Sequence, residues 1–211
     1  MPHNAGMDIS LTLILIIATA GVSLVAFRDH ALLDRLILWP PAVSRGGQYY
    51  RLLSYGLVHG DGMHLLFNMV TLYFFGSVME PVFASRIGDV GYVLFYAGGL
   101  LVSILPSYLA NRNNPGYRSL GASGAVSAVL FAFILLQPWA MLYVFFIPAP
   151  AIVFAVVYVG WSVWAERQAR DNINHSAHLW GAAYGIVFML VMEPRVLLIF
   201  WEQLTHPRWA G

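Results

Sequence analysis

Six stretches of this chain, near residues 9–27, 63–80, 90–109, 120–136, 150–165 and 176–193, have the length or the apolarity to cross a hydrocarbon core. Such a core is roughly 30 Å thick and takes about 20 helical residues. Backbone groups in lipid must be satisfied internally, so spans of this kind fold as helices. Composition agrees: 59% of the residues are hydrophobic and 10% charged, where soluble domains carry about 25% charged residues. Residues 1–211 are therefore read as one domain, an all-α polytopic bundle of six transmembrane helices. The run Ile9–Phe27 has no Arg or Lys before it, exceeds the apolar region of a signal peptide and lacks a small-residue cleavage site. It is expected to be a retained first helix with no domain in front of it.

The segments between the spans carry their own signals. Trp139–Ala165 is apolar throughout but interrupted at Pro148 and Pro150, so Gln137–Pro150 is expected to be a loop dipping into the interface, with the fifth helix starting near Pro150. Residues 28–62 mix four Arg and three Asp with the apolar pieces Leu32–Trp39 and Tyr49–Val58. That mixture suits short amphipathic helices immersed at the membrane surface, whereas a structureless loop of that length would be unusual. The tail Val196–Trp209 is expected at the interface, anchored by Trp201 and Trp209. A net charge of +1, with 11 Arg and no Lys, gives no basic field for nucleic acid. The absence of Cys excludes disulfides, thiolate metal sites and a cysteine nucleophile.

Polar groups inside spans are costly and point to function. His64 and Asn68 stand four residues apart on one face of the second span. Ser123 opens the fourth span within Gly121-Ala-Ser-Gly-Ala125, and His178 opens the sixth within Ala177-His-Leu-Trp-Gly181. Spans two, four and six start on the same side, so parity alone places the four side chains at similar depth. Gly121, Gly124, Ala125 and Ala128 thin the fourth helix, while Gly181 and Gly185 follow His178 on one face of the sixth. If these seams meet, the imidazole is aimed at Ser123, the nucleophile–base pair that a serine hydrolase needs. The Ser123 N–H, His64 and Asn68 are candidate oxyanion donors.

Each residue alone has a plainer reading. A serine in an apolar helix usually bonds its own preceding turn, small-residue runs are mostly packing, His178 could be interfacial, and His64 with Asn68 could be an interhelical pair. Their coincidence in depth and side favours a site. His59, Asp61 and His64, or His175 with His178, could suggest metal ligands, but no HExxH pattern is present and no acid joins the histidines inside a span. No metal and no cofactor are expected. Asp8, Asp61, Asp89 and Asp171 fall at helix ends or in loops, which disfavours two-aspartate chemistry, and Glu80 and Glu193 read as caps at span ends.

At these residues, from about Tyr49 to Gly185, the chain resembles the rhomboid family of intramembrane serine proteases in its six-helix bacterial form. Gly121-x-Ser123-Gly124 is similar to the family's nucleophile motif, and Ala177-His178-x-x-Gly181-x-x-x-Gly185 to its general-base motif. His59-x4-His64-x3-Asn68 resembles the second-helix motif, whose last two members help to bind the oxyanion. Tyr50-Arg51 resembles the Trp-Arg pair of the first loop, and Glu80 the acid that ends the second helix. The sequence departs at Ser127, where the family commonly has an aromatic ring packed beneath the catalytic imidazole, and at Tyr50, which stands for Trp.

The resemblance implies an endopeptidase acting in or near transmembrane helices of other membrane proteins. Ser123 would be nucleophile and His178 general base, with His64, Asn68 and the N–H groups of Ala122 and Ser123 around the oxyanion. His59, Arg51, Glu80, Gly181 and Gly185 would give structural support. The rival reading is an inactive relative that only binds transmembrane helices; a transporter is disfavoured because no acid or ion pair lies within a span. The expected location is the inner (plasma) membrane, with both termini cytoplasmic and the site facing the opposite side. Charge counting opposes that orientation, since Arg86, Arg195 and Arg208 would lie inside and the other eight Arg outside. Substrate and oligomeric state are left open.

Overall fold

The computed structural model describes residues 10–144, 147–168 and 173–206. Asp8, Ile9, Arg170, Asp171, Arg208 and Trp209 lie outside the described residues. Helix α1 (Leu11–Ala26) starts where the Ser10 hydroxyl accepts the Leu13 N–H, a serine N-cap. The first connection is helical in short pieces, as its mixed composition implies: α2 (His30–Leu36), capped by Asp29; α3 (Pro40–Ser44), with proline in its first turn; α4 (Arg51–Ser54); and a 3₁₀ turn, Tyr55–Leu57. Helix α5 (Gly62–Thr71) is capped by Asp61, whose carboxylate accepts the His64 N–H at 2.8 Å. A π-helical turn, Leu72–Gly76, leads straight into α6 (Ser77–Asn111).

The second span therefore does not end at Glu80. The helix runs on to Gly88, where φ of 73° breaks it into two arms. At about 1.5 Å per residue each arm, 62–87 and 89–111, is roughly 35–40 Å long, enough to cross a bilayer. Glu80 instead reaches across to α1. Its carboxylate accepts from the Leu11 N–H (2.7 Å), the Thr12 N–H (2.9 Å) and the Ser10 hydroxyl (2.6 Å), satisfying donors that a helix start leaves open.

Helix α7 (Ser123–Leu136) is the hub, with every residue from Gly124 to Leu135 buried. Around it stand α6, α8 (Ala151–Gln168), α9 (His175–Met192) and α10 (Val196–Thr205). The outer faces of α5, α6, α8 and α9 are apolar and exposed, with Leu66, Leu94, Val156, Trp161 and Val191 among them. A water-soluble protein does not leave such a girdle open, whereas lipid covers it. Among the described residues, Gly62–Asn111 and His175–Met192 are long and apolar enough to cross a membrane; Leu11–Ala26, Ser123–Leu136 and Val196–Thr205 are apolar but shorter.

The expected loop at Gln137–Pro150 is a two-stranded hairpin, so the chain is mostly rather than wholly helical. Strand β1 (Met141–Val144) pairs antiparallel with β2 (Ile147–Pro150), Leu142 opposite Ala149 and Tyr143 opposite Pro148. The Ala151 N–H donates to the Ala140 carbonyl at 2.9 Å, so by alternation Ala149 also turns its N–H toward β1, while Pro148 and Pro150 on either side of it face away. The prolines therefore interrupt no ladder bond on this edge ribbon.

Helices α7 and α9 meet backbone to backbone. A Cβ added at Gly181 would lie 2.1 Å from the Gly124 carbonyl oxygen, and one at Gly185 2.2 Å from that of Ala128. Gly124 is held equally close on its other side, where a Cβ would sit 2.1 Å from the Ser103 hydroxyl of α6. These small residues fix three helices at distances that no larger side chain permits.

Candidate active site

The close α7–α9 contact brings together the two polar residues that open those helices. His178 Nε2 lies 2.8 Å from Ser123 Oγ, a hydrogen bond of the kind a nucleophile and its base would make. Both line a cavity of about 1820 Å³ that also takes in His64, Asn68, Ser127 and Tyr158. Parity had put Ser123, His178, His64 and Asn68 at one depth, and the structure places all four in this one cavity.

The turn before Ser123 is pinned from the first connection. Leu38 and Ser119 exchange two backbone hydrogen bonds (3.0 and 3.1 Å), and the Gly121 N–H donates to the Tyr55 carbonyl at 3.0 Å. Gly121 has φ of 109°, and a Cβ there would meet the His64 ring at 2.7 Å. Only glycine suits both the backbone conformation and the close imidazole.

The Ala122 N–H, expected at the oxyanion, is committed elsewhere: it donates to His59 Nε2 at 3.3 Å. The tautomer follows from the partners. The Ser23 hydroxyl donates to the Leu57 carbonyl (2.9 Å), so at its 2.9 Å contact with His59 Nδ1 it must accept. His59 thus carries its proton on Nδ1 and offers a lone pair at Nε2. It is 1% exposed, and burial, reinforced by His64, pushes its pKa down to about 3. His59 is a neutral strut joining α1, the first connection and the nucleophile turn.

Of the donors that remain, the Ser123 N–H is one of those that a helix N-terminus leaves without an intrahelical partner. Asn68 is 5% exposed and gives one of its two N–H bonds to the His64 carbonyl at 2.9 Å. His64 stands edge-on to His59, ring centroids 4.9 Å apart. Arg51 is buried and bonded to Gln48 Oε1 (2.6 Å) and to the carbonyls of Asp34 and Ile37 (2.7 Å each), tying α4 to α2. Its partner Tyr50 lays its ring 5.6 Å from the guanidinium carbon.

Several residues that hold the site carried no sequence signal. Asn174 caps α9 by accepting the Ala177 N–H at 3.0 Å, and it also bonds Ser107, Tyr117 and Ser119. Its place before a helix was its only mark. Ser23 and Tyr55 read as ordinary span and loop residues. Tyr158 of α8 stacks on His178 (6.0 Å between centroids, planes at 22°), and its hydroxyl meets that of Ser127 at 2.7 Å.

The Rhomboid domain family matches residues 46–195. A RHOMBOID-like protein 12, mitochondrial, of Arabidopsis thaliana is 30% identical over 194 residues, covering 85% of this chain and 57% of its own length. Rhomboid protein 1, mitochondrial, of Saccharomyces cerevisiae is 32% identical over 62% of this chain and 38% of its own length. Rhomboid protease GlpG of Haemophilus influenzae is 30% identical over 45% of each chain. The chain thus spans well under two thirds of the length of these curated relatives. With a matched domain that runs from the first connection past the end of α9, the chain belongs to the rhomboid family of membrane proteins.

Proposed function

We propose that this chain is an intramembrane serine endopeptidase with six transmembrane spans, cutting peptide bonds in or near transmembrane helices of other membrane proteins. The observation that carries the reading is the 2.8 Å contact between His178 Nε2 and Ser123 Oγ inside an open cavity. Ser123 Oγ attacks the scissile carbonyl carbon while His178 Nε2 takes its proton. The oxyanion is received by the Ser123 N–H and the side chains of His64 and Asn68, which stand ready before charge develops. The tetrahedral species collapses as His178 returns the proton to the leaving amine, and water then releases the acyl group by the same path in reverse. His59, Arg51, Glu80, Gly181 and Gly185 hold the parts in register.

Helix length explains how water and a membrane substrate can meet there. The 14 residues of α7 rise about 21 Å at about 1.5 Å per residue, short of a core of roughly 30 Å. With its far end at one interface, Ser123 lies about 9 Å below the other, within reach of water through the cavity. The polar groups Asp61, Asn111, Arg118 and Glu166 line the same cavity. Such a site needs lipid on its flanks and water at its mouth, and no cofactor.

The location that goes with this reading is the inner (plasma) membrane, multi-pass, both termini cytoplasmic and the site opening to the other side. The bacterial relative supports that membrane; the mitochondrial names of two others point to an organelle instead. Reaction of the detergent-solubilised protein with a fluorophosphonate probe tests the function. Labelling of the native chain and none of Ser123→Ala is the expected result. A folded native chain that never labels would reduce the protein to one that only binds transmembrane helices.

A further inference from the structure

The catalytic imidazole needs something to hold its plane. The residue one turn after the nucleophile, Ser127, is too small to do this, and it has no ring. His175 of the same helix meets His178 edge-on (5.9 Å between centroids, planes at 81°), and the ring that lies flat against His178 is that of Tyr158, on α8. The two rings are close to parallel, at 22°, with centroids 6.0 Å apart. Tyr158 is itself fixed at three points. Its hydroxyl meets Ser127 Oγ at 2.7 Å, and its ring packs on Phe131 (5.7 Å) of α7 and Phe154 (5.6 Å) of its own helix. The serine and the tyrosine are complementary: Ser127 leaves the volume that the ring fills and supplies the hydrogen-bond partner that a buried phenol requires.

We infer that Tyr158 positions His178, its ring supplied from α8 and locked by Ser127. The inference rests on the proteolytic reading above. It assigns no proton transfer to the phenol; Tyr158 acts through the imidazole. An aromatic plane beneath the ring restricts its rotation, so that Nε2 stays aimed at Ser123 Oγ when the nucleophile moves to attack. A misplacement of about 1 Å in such a group costs on the order of 10²-fold in turnover.

The same logic explains a feature of α8. That helix turns valines and tryptophans outward, with Val156, Val157, Trp161 and Trp164 exposed. Among the described residues, the Tyr158–Ser127 hydroxyl pair is a hydrogen bond that joins it to α7. Loosening this pair frees the ring and the helix together.

The test compares Tyr158→Phe and Tyr158→Leu in the full-length protein, using cleavage of a transmembrane-helix substrate in detergent and the rate of fluorophosphonate labelling. Phenylalanine keeps the plane and loses only the hydrogen bond, so kcat should fall about fivefold. Leucine keeps bulk but has no plane, and kcat should fall on the order of 10²-fold with KM within about twofold. Thermal melting of both variants shows that the fold is retained, and leucine is chosen over alanine to keep the cavity filled. Equal losses in the two variants, or a loss confined to KM, would overturn the positioning role. Failure of the native chain to label would instead overturn the dyad, and the two failures are read from different samples.

Discussion

Replacing Gly181 by alanine puts a methyl group where the structure has no room. The new Cβ would lie 2.1 Å from the Gly124 carbonyl oxygen and 2.8 Å from its carbon. Neither atom belongs to a flexible side chain, so the backbones of α7 and α9 must separate by about 1 Å before the contact becomes tolerable. Gly181 is one turn from His178 and Gly124 follows Ser123, so the wedge acts at the dyad itself. A 2.8 Å hydrogen bond lengthened by that amount falls outside bonding range, beyond about 3.2 Å. Overpacking of this kind costs about 1–3 kcal/mol of stability, and lost alignment about 10²-fold in turnover. The measurement is fluorophosphonate labelling and substrate cleavage in detergent, alongside thermal melting. Gly160→Ala is the control, since nothing lies within 4 Å of a Cβ added there, and it should melt and turn over like the native chain. A folded Gly181→Ala that labels within threefold of the native rate would show that the dyad does not depend on this approach.

Ser123→Ala and His178→Ala should each abolish cleavage while the protein still melts cooperatively, because the pair acts as one unit; a folded variant keeping more than a few per cent of activity would refute the assignment. Asn68→Ala and His64→Ala should lower kcat with little change in KM, each by roughly 3 kcal/mol of transition-state stabilisation; steady-state kinetics decide it, and a raised KM at native kcat would make them a binding pair. Acidification should destabilise the protein through His59: its folded pKa lies near 3, below the ordinary value of about 6.5, so the unfolded chain gains a proton that the folded chain excludes. Stability present above about pH 6.5 is then lost as the pH falls toward 3, at up to about 1.4 kcal/mol per pH unit, and His59→Gln, which does not titrate, should melt with a flatter pH dependence. With no native cysteine, orientation can be read in intact cells from exposed single cysteines: a membrane-impermeant maleimide should label Asn113→Cys and spare Ser85→Cys, and the reverse pattern would favour the arginine count.

What could be read from the sequence was whatever local spacing encodes. His178, Gly181 and Gly185 share a helix face by periodicity, and the seam they form with Gly124 and Ala128 is the observed one. The apolar pieces Leu32–Trp39 and Tyr49–Val58 overlap the observed α2, α4 and 3₁₀ turn, whereas α3 (Pro40–Ser44) lies between them, and Arg51 is bonded internally. What could not be read depends on partners distant in sequence. Tyr158 stands in a span without polar pattern, and its role exists only because α8 turns it onto His178. The Ala122 amide was placed at the oxyanion by the family resemblance alone; His59, 63 positions earlier, claims it. Glu80 looked like the end of a helix, yet its three acceptor contacts are all with the start of α1. The two prolines at 148 and 150 read as a loop because sequence does not reveal which side of a ribbon an N–H would face.

The nucleophile turn is held by two different kinds of force, and their division follows from where each side of the turn lies. On the side of the first connection the clamp is polar: the amides of Ser119, Gly121 and Ala122 go to Leu38, Tyr55 and His59. On the bundle side it is steric, with Gly124 closed between Ser103 and Gly181. A turn held only by packing could slide along the helix axis, and one held only by hydrogen bonds could tilt; together they leave Ser123 little freedom. The polar clamp has a cost, because each amide it takes is withdrawn from the reacting oxygen. In the proposed mechanism, with Ala122 used in this way, backbone donation falls to Ser123, and the side chains of His64 and Asn68 supply the rest. On that reading a polar pair in the second span, expensive in lipid, is worth its place beside Ser123 and His178.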